Sequence, residues 1–291
     1  MRIGVGLPNT IPGTPGRRLV EWARRAEELD FKALSTIGRV AFPTHDELIS
    51  LAAAAAVTER IELFTNVLLA PTRDPVLLAR EAASIDQISE GRFVLGLAVG
   101  WRPDDFSTTD KGYHDRGQRL NDGLELMLSV WRGEQVKGSQ KVLAPTPTNG
   151  ESVPIAFGGS APAALRRMAR YGIGWTAGGA APEAAHGAYE AAREAWREAG
   201  RAGEPRLWAL SYFGLGDDAH PVAETYLTDY YGDWGPGMAA GIPKDAEAIR
   251  ATAKAFADAG TDTLLWVPTS GDLGQLDLLA EALGGRTTIG A

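Results

Sequence analysis

Short apolar runs alternate along the chain with longer segments in which apolar residues recur at helical spacing. In the first half, four runs have the length and continuity of buried strands, at residues 2–8, 33–37, 61–69 and 93–100. Four more follow in the second half, at residues 153–159, 174–179, 206–215 and 262–268. Each run precedes a segment with helical periodicity, so the pattern predicts eight strand–helix units.

Eight alternating units favour an α/β fold with a parallel sheet, because parallel strands need a crossover helix between them. The near-continuous apolar character of the strands indicates burial on both faces. A (β/α)8 TIM barrel that forms a single domain over residues 1–291 fits this length best. An open doubly wound sheet is the alternative, but the first strand carries GVGLPN, which lacks the glycine spacing of a dinucleotide-binding turn.

Local signals place helix starts and loops within these units. Asp74, which precedes a proline, predicts a capped helix start, and Thr44 and Glu47 stand at the spacing of a capping box. Two stretches rich in glycine, proline and small residues, 137–152 and 232–243, are predicted to be long loops inserted into the barrel.

The composition excludes several classes of function. The chain has no cysteine and only 4 histidines, so we expect neither a disulfide nor a metal site. Its net charge of -8 argues against a nucleic-acid partner, which would require a basic surface. No apolar run is long enough to cross a membrane, and the N-terminal residues lack the layout of a signal peptide. These features predict a soluble, cytoplasmic protein.

The predicted carboxyl ends of the strands, where a barrel places its active site, are rich in glycine and poor in charge. They offer no Ser-His-Asp arrangement and no cluster of acidic metal ligands, so the site suits a bound cofactor that brings its own chemistry. The run from Phe157 to Ser160 leads directly into a helix, whose N-terminus would favour a phosphate. A tight turn with a serine cap is the alternative interpretation.

The stretch SEGRFVLGLAVGW, Ser89 to Trp101, begins as a buried strand but continues with Gly96 and Gly100. Glycine allows another group to approach the backbone closely. This stretch lies in a segment, residues 60–106, that resembles the bacterial luciferase-like monooxygenase family. Residues 115–133 and 153–175 and the run FADAGTDTLLW near the C-terminus are similar to the same family, so the resemblance covers nearly the whole chain in the right order.

The resemblance implies a (β/α)8 barrel that uses reduced FMN or, alternatively, coenzyme F-420. It places the cofactor ring against the step between Asn66 and Val67, where members often have a cis peptide bond. Ala98, Val99 and Gly100 would line the ring edge, so that the glycines make room for a planar ring. Trp101 would flank the ring or the substrate, unless it packs at the barrel rim. The residues implied at the phosphate and its linker are Gly158, Gly159, Ser160, Thr176, Gly178 and Gly179.

The sequence departs from the family pattern at the end of the second strand. Many members have Asp-His there, a frequent catalytic or ring-contacting histidine, whereas this chain has Gly38-Arg39. Arg39 and His114 are the candidate catalytic residues, with a surface arginine and a solvated loop histidine as the alternatives. Asp104 and Asp105 are predicted to form an exposed pair that caps a turn, with a role as general acids as the alternative.

From the resemblance we expect a flavin-dependent oxidoreductase, and we favour a monooxygenase that takes reduced FMN from a partner flavin reductase and oxidises a small organic substrate with dioxygen. Hydride transfer with coenzyme F-420 is the alternative reaction. A flavin-binding carrier without turnover and a phosphate-binding barrel isomerase or aldolase are alternatives from other classes. The aromatic residues at 226, 230, 231 and 234 favour an apolar or aromatic substrate, with helix packing as the other explanation. The family also implies a homodimer.

Overall fold

The computed structural model describes residues 1–136 and 138–290. The strands are β1 (Arg2–Gly6), β2 (Ala33–Thr36), β3 (Glu62–Thr65), β4 (Leu68–Leu69), β5 (Phe93–Ala98), β6 (Ile155–Gly158), β7 (Gly174–Thr176), β8 (Arg206–Phe213) and β9 (Thr263–Pro268). The α-helices are α1 (Gly16–Glu28), α2 (Glu47–Ala55), α3 (Pro75–Ile88), α4 (Pro103–Thr108), α5 (Arg116–Trp131), α6 (Pro162–Tyr171), α7 (Pro182–Glu198), α8 (Ala219–Tyr231), α9 (Gly235–Ala240), α10 (Ala246–Asp258) and α11 (Gly274–Ala282). Two short 3-10 helices lie at Ala70–Thr72 and Gly232–Trp234.

The strands form one parallel sheet that closes on itself. β1 lies between β2 and β9, and the order continues through β8, β7 and β6 to β5, which pairs with both β3 and β4. β3 and β4 are two halves of one barrel strand, separated only by Asn66 and Val67. The closed sheet therefore has eight barrel strands, each followed by a helix, and the predicted (β/α)8 barrel is confirmed.

Apolar side chains cover both faces of the strands, as their continuous apolar runs predict. Every residue of β9 is buried, and Phe64 stacks on Trp208 with ring centroids 5.2 Å apart. At the amino ends of the strands, Glu62 accepts hydrogen bonds from Arg2 and Arg206. In this fold, residues at the amino ends of the strands contribute to stability, whereas catalytic residues lie at the carboxyl ends.

The two predicted helix caps have different outcomes. Asp74 caps α3 as predicted, since its Oδ1 accepts hydrogen bonds from two N–H groups of the first turn. The prediction that Thr44 and Glu47 form a capping box is wrong. Asp46 stands directly before α2 and accepts the first-turn N–H groups, while the Thr44 hydroxyl donates to the carbonyl oxygen of His45.

The first predicted loop is present in the part of the chain that the structure describes. Residues 138–152 contain no helix or strand there, and Lys137 lies outside the described residues. None of the described helices combines the length and the apolar character needed to cross a membrane.

The prediction that residues 232–243 form a long loop is wrong, because most of this segment is helical. Pro236 stands in the first turn of α9, where its fixed φ suits a helix start. A methyl group at Gly235 would lie 2.3 Å from the backbone of Thr228. This glycine therefore allows α9 to pack closely on α8 instead of making the segment flexible.

Candidate active site

A cavity of about 650 Å³ opens at the carboxyl ends of the barrel strands. Its walls come from strand ends, from the segment after β5 and from the N-terminus of α6. The sequence-predicted residues in these walls are Asn66, Val67, Ala98, Val99, Gly100, Trp101, His114, Gly158, Gly159, Ser160, Gly178 and Gly179. The barrel thus brings separate strand ends together at the edge where this fold carries its active sites.

The third barrel strand is interrupted in the cavity wall. The peptide bond between Asn66 and Val67 is cis. Thr176, which does not line the cavity as far as the described residues show, donates a hydrogen bond from Oγ1 to Asn66 Oδ1 over 2.9 Å. The Asn66 Nδ2 atom is buried and has no partner among the described residues. Thr176 therefore orients the amide of Asn66, which leaves an amide donor at the cavity wall for a bound group.

The two glycines that follow Phe93 have different roles. A methyl group at Gly96 would lie 1.9 Å from the carbonyl oxygen of Thr65, so Gly96 lets the barrel strands pack closely. The expectation that both glycines make room for a ring is therefore wrong for Gly96. Gly100 lies in the cavity wall with a φ of 75°, in the left-handed region that favours glycine.

The connection from β6 to α6 forms a corner suited to an anion. Gly159 has a φ of 103°, and the indole Nε1 of Trp175 donates a hydrogen bond to its carbonyl oxygen over 3.1 Å. Helix α6 begins at Pro162, and Ala161 before it has no side chain that could cap the helix. Pro162 has no N–H, and the N–H of Ala164 donates to the carbonyl oxygen of Ala161 over 2.8 Å. The N–H groups of Ala161 and Ala163 have no acceptor among the described residues, so they are open to a ligand at the end of the helix dipole that favours negative charge.

Arg167 is a functional candidate that the sequence pattern did not single out. It is buried and lines the cavity beside this anion corner. Its Nε donates a hydrogen bond to Asn121 Oδ1 over 2.6 Å, and its Nη2 donates to the carbonyl oxygen of Gly117 over 3.2 Å. Burial lowers the pKa of the guanidinium, which stays cationic because arginine titrates far above neutrality. The two hydrogen bonds therefore hold a positive charge at the corner.

Aromatic side chains surround the mouth of the cavity. Trp101 stacks on Trp234 with ring centroids 5.5 Å apart, and the two residues are 53% and 65% exposed. The guanidinium of Arg102 lies 4.3 Å from the centroid of the Trp101 ring. Tyr230 and Tyr231 line the wall, and burial raises the pKa of both phenols, so both stay neutral around pH 7.

The two candidate catalytic residues lie in different places. His114 is exposed and lines the cavity. Arg39 is not among the described residues that line it. Its Nη2 donates a hydrogen bond to Asp104 Oδ2 over 2.6 Å, and its Nη1 donates to the carbonyl oxygen of Tyr230 over 3.1 Å. Arg39 thus links the loop after β2 to α4 and α8.

Asp104 and Asp105 do not form the exposed pair that the sequence predicts. Asp104 is exposed, but Asp105 is only 1% exposed. The Oδ1 atom of Asp105 accepts hydrogen bonds from the N–H groups of Val40 and Ala41, each over 2.8 Å. The prediction is wrong for Asp105 because the loop after β2 packs over the first turn of α4.

A buried carboxyl also lies next to the cavity wall. Glu47, the first residue of α2, is 6% exposed, and its Oε2 accepts a hydrogen bond from Arg73 Nη2 over 3.0 Å. Burial is the main cause that raises the pKa of Glu47 to about 7. Its Oε1 packs against Gly38, which is a residue of the wall.

The residues of the cavity fit a flat cofactor that carries a phosphate. Open N–H groups and a buried cation meet at one corner, and the free Nδ2 of Asn66 and the backbone of Ala98 to Gly100 lie in the same cavity. Within residues 1–136 and 138–290, no three or more histidine or acidic residues are grouped so that they could hold a metal ion.

Comparison with known sequences gives the family. The family model for luciferase-like monooxygenases matches residues 1–286. An uncharacterised protein of Mycobacterium tuberculosis is 29% identical over 180 residues, which cover 60% of this chain and 62% of that protein. The pyrimidine monooxygenase RutA of Allorhizobium ampelinum is 29% identical over 134 residues, which cover 42% of this chain and 36% of that protein. The match spans less than two thirds of the length of either relative.

Solved structures share the fold at low sequence identity. The monooxygenase RslO1 from Streptomyces bottropensis has a TM-score of 0.79 and 20% identity, with 97% of this chain and 98% of that chain covered. An F-420-dependent secondary alcohol dehydrogenase, in complex with an F-420–acetone adduct, has a TM-score of 0.77 and 17% identity, with 98% of each chain covered. At these identities the likeness shows the fold alone. Because the family model matches nearly the whole chain, the protein belongs to the luciferase-like monooxygenase family, a family of oxidoreductases.

Proposed function

We propose that this protein is a monooxygenase that binds reduced FMN in the cavity at the carboxyl ends of the barrel strands. The observation that carries the proposal is the anion corner, where the open N–H groups of Ala161 and Ala163 lie in the same cavity wall as the buried cation Arg167. FMN combines a phosphate with a planar ring, and the same cavity contains the Asn66–Val67 step for the ring. The similarity to RutA, which is named a pyrimidine monooxygenase, supports the reaction class.

In this mechanism the chain binds and orients, and the bound cofactor supplies the electrons for the oxidation of the substrate by dioxygen. Arg167 and the first turn of α6 would hold the phosphate through charge-assisted hydrogen bonds. Asn66, oriented by Thr176, would donate from Nδ2 to a polar edge of the ring. The neutral phenols of Tyr230 and Tyr231 would exclude water from the reacting side.

The substrate in this proposal is a small aromatic or apolar molecule. Trp101, Tyr230 and Tyr231 line the cavity and offer it aromatic faces, while the anion corner would hold the phosphate of the cofactor. His114, in the same wall, is a candidate for a polar contact with it. A separate flavin reductase would deliver the reduced cofactor, and we further propose a homodimer, as the family resemblance implies.

The test is an anaerobic titration of the purified protein with reduced FMN and, separately, with reduced coenzyme F-420, each followed by absorbance. Two adjacent arginines of α6 give a matched pair of variants. Arg167→Gln removes the buried cation, and Arg166→Gln makes the same charge change at an exposed position. We expect FMN to bind wild type and Arg166→Gln alike, and to bind Arg167→Gln about tenfold or more weakly. Circular dichroism checks that each variant is folded.

The other outcomes assign other functions. Binding of coenzyme F-420 alone would make the reaction a hydride transfer. Binding of reduced FMN that reoxidises without an oxygenated product, across a panel of small aromatic compounds, would indicate a carrier. If neither cofactor binds, or if both arginine variants bind FMN like wild type, the proposed cofactor site is wrong.

A further inference from the structure

The carboxyl of Glu47 packs against the backbone of Gly38 and occupies the space that a side chain at position 38 would need. A methyl group at Gly38 would lie 1.7 Å from Glu47 Oε1 and 2.3 Å from its Cδ. Gly38 itself lines the cavity, just after β2. The first residue of α2 therefore brings a carboxyl to the second barrel strand, and only a glycine backbone separates this carboxyl from the cavity.

The titratable groups around this carboxyl come from three parts of the fold. Arg73, which precedes α3, donates from Nη2 to Glu47 Oε2 over 3.0 Å and to Asp46 Oδ2 over 2.6 Å. Two carboxylates thus share one guanidinium nitrogen. Tyr230 of α8 faces the group from the cavity wall and stays neutral. Among the described residues, no side chain other than that of Arg73 donates a hydrogen bond to the Glu47 carboxyl.

This arrangement compensates the charge of Glu47 only in part. Burial disfavours the ionised form, the attraction of Arg73 favours it, and the neighbouring charge of Asp46 disfavours it again. Asp46 remains ionised, because hydrogen bonds from Arg73 and from the N–H groups of α2 lower its pKa despite its burial. A pKa near 7 means that Glu47 can both give and take a proton at neutral pH, whereas a carboxyl that serves only as an ion pair would stay ionised.

We propose that Glu47 exchanges a proton with the group bound in the cavity, past Gly38, during the reaction. The proposal rests on the proposed function for the identity of that group. Oxidation by dioxygen places one oxygen atom in the substrate and reduces the other to water, which takes two electrons and one proton from the reduced flavin anion and one further proton from another donor. When an oxygen in the cavity gains negative charge, a water that reaches past Gly38 passes it a proton as the Oε1–H bond of Glu47 breaks. The carboxylate that remains is paired with Arg73 and recovers a proton from solvent after turnover.

The experiment uses Glu47→Gln, with Glu81→Gln as the control. Glu81 is exposed on α3 and lies close enough to Arg73 to act on its charge, so the control removes a nearby charge without touching the cavity. The first readout needs no cofactor. Infrared difference spectra of each protein, recorded between about pH 5 and about pH 9, follow the carbonyl stretch of protonated carboxyl groups. We expect wild type and Glu81→Gln to lose one protonated carboxyl with a midpoint near neutrality, and Glu47→Gln to lack that transition.

The second readout is the rate of oxidation of bound reduced FMN in the presence of dioxygen and substrate, measured in single turnovers across the same pH range. Wild type and Glu81→Gln should show a rate that falls above neutral pH. In Glu47→Gln the rate should be lower by about tenfold or more at neutral pH and should no longer fall above neutral pH. The variant should bind FMN with unchanged affinity. Gly38→Ala, whose methyl group would displace the carboxyl, should also lose the infrared transition.

The results separate this inference from the proposed function. If wild type binds neither FMN nor coenzyme F-420, the proposed function fails, and the proposed proton exchange with its bound group fails with it, whatever the infrared spectra show. Suppose that wild type binds FMN and that Glu47→Gln keeps either the infrared transition or the decrease of the oxidation rate above neutral pH. The inference about Glu47 is then overturned, while the cofactor site stands.

Discussion

Replacing Glu47 with glutamine should remove one component of the pH dependence of folding stability. The pKa of this carboxyl is about 7 in the folded protein, against an ordinary value of 4.5 that we assign to the unfolded chain. Between these values the folded state binds more protons than the unfolded state. The contribution of Glu47 to stability is therefore fully present below the lower value and is lost as the pH rises through the upper one. For these two pKa values, linkage gives a loss of about 2.5 kcal/mol between about pH 5 and about pH 8.

The assay is urea unfolding followed by circular dichroism, at both pH values, for wild type, Glu47→Gln and Glu81→Gln. The free energy of unfolding of Glu47→Gln should rise by about 2.5 kcal/mol relative to wild type between about pH 5 and about pH 8. The comparison cancels the opposite contribution of carboxyls such as Asp46, whose lowered pKa makes stability fall at acidic pH in every variant. If the substitution also changes the contact with Arg73 in a way that does not depend on pH, the difference in the free energy of unfolding shifts by the same amount at both pH values.

Glu81→Gln should follow wild type, because its carboxyl is exposed. A difference between wild type and Glu47→Gln that stays constant across this pH range would refute the reasoning, since it would show that the carboxyl has the same charge at both ends of the range. A difference that changes in the opposite direction would mean that Arg73 outweighs burial and lowers the pKa of Glu47.

Substitutions at three further positions test packing and helix capping in the barrel. Gly96→Ala should prevent stable folding, because its methyl group would lie 1.9 Å from the carbonyl oxygen of Thr65, and a variant with a wild-type melting temperature would contradict this packing. Asp74→Ala should lower the free energy of unfolding by about 1 kcal/mol through loss of the helix cap, measured by urea titration, whereas no change would mean that water replaces the cap. Asp105→Ala should lower it by about 3 kcal/mol, because two N–H groups at residues 40–41 lose their acceptor, and Asp105→Asn, which can keep one acceptor oxygen, should cost less.

The barrel was predictable because its signal is repeated and local. Each strand is buried on both faces, so it appears in the sequence as a short continuous apolar run, and eight such runs with helices between them leave few other topologies. The interruption of the third barrel strand was not predictable from periodicity. Asn66 is one polar residue in an apolar run, and its cis bond to Val67 and its contact with Thr176 depend on packing from β7. Only the family resemblance indicated that step.

The walls of the site were largely predictable, and the charges that act on it were not. The glycines predicted at the cofactor site, at positions 100, 158, 159, 178 and 179, all lie in the cavity wall. Arg167 shares its helix with the exposed Arg166, and nothing in the local sequence tells the two apart. The burial of Arg167 comes from contacts with α5, which are distant in sequence.

The second barrel strand shows why a missing motif is weak evidence for missing chemistry. In the sequence, Gly38-Arg39 stands where the family resemblance leads us to expect Asp-His, and this absence keeps a carrier without turnover open as an alternative. In the structure, the carboxyl of Glu47 fills the side-chain position of Gly38, and Arg39 ties the loop to Asp104 and to the carbonyl oxygen of Tyr230. A titratable carboxyl is therefore present at this edge of the cavity, but it comes from a helix and is visible only in three dimensions. The absence of the motif therefore gives no support to the carrier, and the formation of an oxygenated product by the wild-type protein decides between carrier and enzyme.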